Sequence, residues 1–185
     1  MPSKTEHRSY QKGLTPALVG IVSGLAALLG LCAGPAAADG PRITPSGLDV
    51  PRYVSLKYAE VNARNGPDEA HQLLWIYHAK GLPVQVVAET REWRRICDPE
   101  GGLAWVHKRT TDGRRSAMRV QASNLPLLSA PKADAKVSAY LKGRSIASLD
   151  KCEKGWCRLR ADGSSGWARE ADIWGADPAV QCRKG

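Results

Sequence analysis

Five cysteines and four histidines are the residues of this 185-residue chain whose chemistry could be nucleophilic, redox or metal-binding. A cysteine nucleophile needs a base within hydrogen-bond reach, and Cys97 with His71, His78 or His107 is the pairing to weigh. Cys97, however, falls at the end of an expected strand, just before Asp98-Pro99-Glu100-Gly101-Gly102. It does not stand at a helix start, where the helix field would lower a thiol's pKa. Cys152 and Cys157 have four residues between them, not the two of a thiol–disulfide exchanger. No Cys-x₂-Cys or His-x₃-His spacing of a zinc site occurs. These patterns predict a chain without catalytic residues, metal or cofactor.

The N-terminus addresses the compartment. Lys4, Arg8 and Lys12 outnumber Glu6, the stretch from Ala17 to Ala33 carries no charge, and Ala36-Ala37-Ala38 precedes Asp39. That order is the pattern of a secretory signal peptide over 1–38, cleaved after Ala38. The apolar run is short and glycine-rich for a membrane span, which needs about 20 residues. Bulky Leu31 before Cys32 argues against a lipoprotein signal. A periplasmic or secreted location follows, with no membrane span after cleavage. The mature part keeps 24 basic and 17 acidic residues, a net +7. In that compartment the charge suits envelope polyanions better than nucleic acid. The densest basic cluster, Lys108, Arg109, Arg114, Arg115 and Arg119, reads equally well as a solvated connector. Four cysteines remain after cleavage, and an even number in an exported chain implies disulfides. Three pairings are open. Proximity favours Cys152–Cys157, leaving Cys97–Cys182.

The elements that must position these residues are short strands. Leu82 to Ala88 sets β-branched residues on alternate positions, and Arg144 to Leu149 does so more weakly. Glu92 to Ile96 and Gly155 to Leu159 mix large apolar with charged residues, the pattern of strands with one face buried and one wet. Turn signals at 98–102, 112–113, 153–155 and 162–163 separate them. Asp68 to His78 could be a helix, or a loop turn followed by a strand. The chain also repeats itself. Lys80-Gly81 returns at Lys142-Gly143, Trp93 at Trp156, Trp105 at Trp167 and Pro67 at Pro131. A spacing near sixty residues is that of a duplicated small domain. The expected division is a linker over 39–51, repeats over 52–118 and 119–176, and a tail over 177–185.

Val61-Asn62-Ala63-Arg64-Asn65-Gly66-Pro67 resembles the V-N-x-R-x-G-P opening of bacterial SH3 domains. Lys80-Gly81-x-x-Val84, Trp93-Arg94-Arg95-Ile96 and Leu103-Ala104-Trp105-Val106 are similar to that family's next three strands, with Ala104 where glycine is usual. The second copy keeps Gly155-Trp156-Cys157-Arg158-Leu159 and Gly166-Trp167-Ala168. It has Leu125-Pro126-Leu127-Leu128 in place of the opening. The resemblance covers 52–175 and implies an all-β fold of two tandem SH3-like barrels. It also implies that Trp105 and Trp167 fill barrel cores. Trp93 and Trp156 would start strands at an exposed edge, lining a groove that Trp75, Tyr77 and Tyr140 could share. Asn62 could bond its own turn. Arg64 could take a peptide carboxylate or pair with Asp68 or Glu69. Family members often bind cell-wall peptides. The expected function is therefore a non-enzymatic binding module of the cell envelope, its partner a cell-wall peptide or a periplasmic protein. The alternative is a structural protein of an envelope complex with no small ligand.

Overall fold

The computed structural model describes residues 44–182; the expected signal peptide lies outside them. Among the described residues no helix is long and apolar enough to cross a membrane. Thirteen short strands among the described residues form two antiparallel sheets. The first holds β1 (Arg52–Leu56), β2 (Val61–Arg64), β3 (Leu73–Tyr77), β4 (Pro83–Glu89), β5 (Trp93–Cys97), β6 (Leu103–His107) and β7 (Thr111–Asp112). The second holds β8 (Ser116–Met118), β9 (Leu125–Leu128), β10 (Val137–Leu141), β11 (Ile146–Glu153), β12 (Trp156–Ala161) and β13 (Ser164–Arg169). Their strand orders are β3-β2-β6-β5-β4-β1-β7 and β10-β9-β13-β12-β11-β8. Without β7 the two orders are the same, and each sheet curls around its own core as a small barrel.

The duplication extends to register. Arg64 opposes Trp105, and Leu128 opposes Trp167. Trp93 opposes His107, and Trp156 opposes Arg169. One single-turn 3₁₀ helix follows each last long strand, at Lys108–Thr110 and Glu170–Asp172. The residues 68–78 resolve into a turn and the strand β3, not a helix. Asp68 makes that turn by accepting the backbone N–H groups of Ala70 and His71.

The cores follow from strand alternation. Val54, Leu56, Val61, Ala63, Val84, Val86, Ile96, Ala104 and Val106 fill the first barrel. Leu125, Leu127, Leu141, Ala147, Leu149, Cys157, Leu159 and Ala168 fill the second. In β6 the inward positions belong to Ala104 and Val106, so Trp105 between them faces outward and is half-buried. That corrects the expected core role of Trp105. Trp167, at the equivalent place, is covered but likewise lies outside the core cluster, with Lys151 5.2 Å from its ring centroid.

One boundary shifts from its sequence position, and both flanking segments are held against the first barrel. Ser116–Met118, placed at the end of the first repeat by sequence, pairs with β11 and opens the second barrel. The segment 44–51 is bound rather than a free linker: Ser46 donates its backbone N–H to Glu89 at 3.0 Å, and Arg52 bridges Glu89 to the carbonyl of Asp49. The tail after 176 returns across the outer face of the first barrel. Buried Gln85 donates to the carbonyl of Ala179 at 2.7 Å and accepts from Gln181 N–H at 3.0 Å. Cys182 then bonds Cys97, and Cys152 bonds Cys157 across the β11–β12 hairpin.

The barrels dock along β4 and β8. Met118 and Ile146 of the second pack against the first core. Trp174 donates its indole N–H to the carbonyl of Pro83 at 2.8 Å and meets Tyr53 edge-on at 5.7 Å between centroids. The buried hydroxyls of Ser55 and Ser116 lie 2.6 Å apart, and Ser116 also donates to the carbonyl of Gly81. Burial of Tyr53, followed by the nearby charge of Asp177, pushes its hydroxyl up to about 12. It therefore stays neutral where it packs.

Candidate functional site

Three adjacent strands of the first barrel, β2, β6 and β5, present one outward row each. Asn62 and Arg64 come from β2, Trp105 and His107 from β6, and Trp93 and Arg95 from β5. At one end of this surface a groove of about 310 Å³ is lined by Asn62, Arg64, Trp93 and His107, with Glu60, Glu69 and Thr110 at its margins.

Each wall has a local cause. Trp93 is turned against the edge of His107, with ring centroids 5.3 Å apart, and is only 8 % exposed. It therefore forms a floor, not a protruding ring. His107 accepts the backbone N–H of Arg109 on Nδ1 at 3.2 Å, which leaves Nε2 as the nitrogen bearing hydrogen. Nε2 lies 3.8 Å from Glu92. Lys108, at 2.8 Å, holds the Glu92 carboxyl below the usual carboxylate range. Arg64 is half-buried and donates to the carbonyl of His71 at 2.8 Å. Asp68, one of the two carboxylates expected beside Arg64, lies 2.8 Å from the His71 ring instead, and the other, Glu69, lines the groove without an ion pair to Arg64. The His71 ring lies over Gly66, where a Cβ would fall 1.9 Å from the imidazole. That close approach requires glycine at 66. Asn62 lines the groove, is exposed and makes no side-chain hydrogen bond among the described residues.

The groove thus unites Asn62, Arg64 and Trp93 from the seven ring and polar residues that the sequence singles out. The others lie elsewhere. Trp75 and Tyr77 sit on the other side of the barrel wall, packed against the core and edge-on to each other at 5.9 Å. Tyr77 donates to Asp98 at 2.9 Å, and burial, reinforced by that carboxylate, pushes its hydroxyl far up. Tyr140 is 65 % exposed on the second barrel, beside a cleft of about 110 Å³. Trp156 carries Arg169 5.3 Å from its ring centroid, in a shallow hollow with Lys154, Glu170 and Asp177. Neither Trp93 nor Trp156 is on an edge strand, since β5 and β12 are interior to their sheets. Thr110 and Glu60 are groove residues that the sequence does not single out, and His107 is named there only as a possible base for Cys97. Their signal would have been the cross-strand pairing of Trp93 with His107, which no local pattern reveals.

The second barrel does not repeat the groove. Asn62 and Arg64 correspond to Pro126 and Leu128, and His107 corresponds to Arg169. The hollow at the equivalent place keeps a ring, Trp156, and a cation, Arg169, but has no counterpart of the Asn62 amide or the Arg64 guanidinium. Among the described residues no three His, Cys, Asp or Glu side chains gather where they could hold a metal ion. Cys97 is buried and bonded to Cys182, so it carries no thiolate.

No curated protein matches the chain. Two solved structures are similar over part of their length: "Structure of NlpC1 from Trichomonas vaginalis", 15 % identical with a TM-score of 0.31, and "Structure of NlpC2 from Trichomonas vaginalis", with the same identity and score. They match over 67 % and 66 % of this chain, and the chain spans 45 % and 47 % of theirs, about half. At that similarity the likeness carries nothing about activity. The model of the bacterial SH3 domain matches twice, over residues 57–113 and 121–175, one match on each barrel. With that double match and the same strand order in each sheet, the chain belongs to the bacterial SH3 domain family.

Proposed function

We propose that the protein is a non-enzymatic binding module of the cell envelope whose first barrel takes a cell-wall peptide. The convergence of Asn62, Arg64, Trp93 and His107 on one groove carries this reading. Asn62 offers an amide donor and acceptor with no competing partner nearby. Arg64 is held in place by one hydrogen bond and keeps further N–H groups for a carboxylate. Trp93 supplies an apolar floor, and Glu60 and Glu69 at the margins suit an amine. A short peptide carrying both carboxylate and amine groups matches that set, and stem peptides of the wall have it. Bacterial SH3 domains commonly serve as binding modules, and the two disulfides are consistent with a location outside the cytoplasm.

Retention on purified sacculi tests the reading. The wild-type protein is expected to bind at low salt and to elute as salt screens the Arg64 contact. Asn62→Ala, a change at an exposed position, should weaken retention about tenfold while leaving thermal stability within about 0.5 kcal/mol. Equal retention of the variant, or none of the wild type at low salt, would reject the wall-peptide assignment. The reading of a purely structural envelope protein would then stand in its place.

A further inference from the structure

Where the barrels meet, a second cleft of about 200 Å³ opens that shares no lining residue with the groove. Four basic residues line it: Lys57 from the loop after β1, Lys80 from the turn before β4, and Arg114 and Arg115 from the connector. Asp112 is the one carboxylate in its lining, and Arg114 already holds it through Nε at 2.9 Å and a second guanidinium nitrogen at 2.6 Å. The Arg115 guanidinium is turned toward the tail, donating to the carbonyl of Gly175 at 2.7 Å and lying 5.7 Å from the centroid of Tyr53, neither of which lines the cleft. Lys57 and Lys80 are exposed and pair with no carboxylate among the described residues. Ser148, across the cleft on β11, adds a hydroxyl. The rigid part of the site is its floor, where Ser55 and Ser116 join the barrels and their hydroxyls are committed to each other and to backbone carbonyls.

We infer that this inter-barrel cleft is a binding site for a phosphate group, free or as a monoester. The basic residues arrive from three separate chain segments. That arrangement suits a tetrahedral oxyanion with three acceptor oxygens better than a planar carboxylate, which two in-plane donors satisfy. A solvated connector does not account for this placement: Lys57 and Lys80 come from the first barrel, far from Arg114 and Arg115 in sequence, yet line the same cleft. The cleft's volume admits a phosphate with its first attached carbons. Because the first barrel supplies Lys57 and Lys80, the connector Arg114 and the second barrel Ser148, a bound phosphate would clamp the two barrels together. Binding to the folded protein alone then raises its melting temperature.

The test is thermal unfolding of the oxidised protein in inorganic phosphate and in glycerol phosphate, against sodium chloride at matched ionic strength. Phosphate is expected to raise the melting temperature in a saturable way. The double variant Lys57→Gln and Lys80→Gln, both at exposed positions, should need about tenfold more phosphate for the same rise. A response to both ions marks recognition of the phosphate group itself; a response to the ester alone marks a need for the attached carbons. No difference from chloride with either ion, or an equal response from the double variant, overturns the site. Asn62→Ala should respond as the wild type does, which separates this result from the fate of the groove.

Discussion

Asn62 and Pro126 stand at the same place in two copies of one barrel, and they differ in what they can offer a ligand. Asn62 brings a donor and an acceptor to the lining of a groove; Pro126 brings neither. A ligand that needs the first copy's polar row is therefore expected to ignore the second, and Pro126→Ala should leave binding to sacculi unchanged. Glu89 is a residue with a different task. Its carboxylate is 2 % exposed under Arg52 and Arg94. Burial alone would raise its pKa, but hydrogen bonds from Ser46, Thr44 and Arg52 outweigh that and hold it at about 2. The ordinary value is 4.5, so the folded state has the lower pKa. Its stabilising effect is complete above about pH 4.5 and is lost as pH falls toward 2. A series of melting temperatures between pH 6 and 2 should show this loss, and Glu89→Gln should make that part of the curve flatter than in the wild type. An unchanged curve would mean that the N-terminal segment 44–51 is not fastened through Glu89.

At the scale of elements, β2/β6 and β9/β13 solve one packing problem in two ways. Ala63 and Ala104 are diagonal neighbours on the first barrel's inner face, and Leu127 and Gly166 take the same places in the second. A Cβ on Gly166 would lie 2.7 Å from that of Leu127 and 2.6 Å from the Ser138 hydroxyl. Gly166→Ala is thus expected to destabilise by about 1–3 kcal/mol through overpacking. Combined with Leu127→Ala it should cost less than the two changes added, a coupling visible in denaturant midpoints. The exchange shows why Ala104 could stand where the family has glycine. Much at this scale is legible in the sequence, because alternation and turn residues are local signals: the strands around Trp93 and Trp156, the duplication and the Cys152–Cys157 hairpin are all there. The faces of tryptophans are less so. Trp105 reads as core because it is large and apolar, but Ala104 and Val106 on either side take the inward positions. Trp75 and Tyr77 share a strand with exposed Leu74 and Ile76, so composition alone does not tell which pair turns inward. The groove needed β2 brought beside β6, a contact between residues about forty apart.

For the whole molecule, the second barrel acts as a partner for the first. The Cys97–Cys182 bridge spans 85 residues and fastens the tail across a face on which Gln85 and Tyr53 also hold it. Closing so long a loop restricts the unfolded chain by about 4–5 kcal/mol, against about 2 kcal/mol for the five-residue separation of Cys152 and Cys157. Replacing Cys97 and Cys182 together by alanine should therefore lower stability more than replacing Cys152 and Cys157. Chemical denaturation of the two double variants measures the difference. The reverse order would mean that the tail contributes little to the docked pair.

The account is tested most directly by amide and indole chemical shifts recorded while a wall stem peptide is added to the isotope-labelled protein. Shifts should concentrate at Asn62, Arg64, Trp93, His107 and Thr110 and saturate together, while Trp156, Pro126-flanking and Leu128 signals stay in place. Saturable shifts centred on the second barrel, or a spectrum unmoved at millimolar peptide, would contradict it.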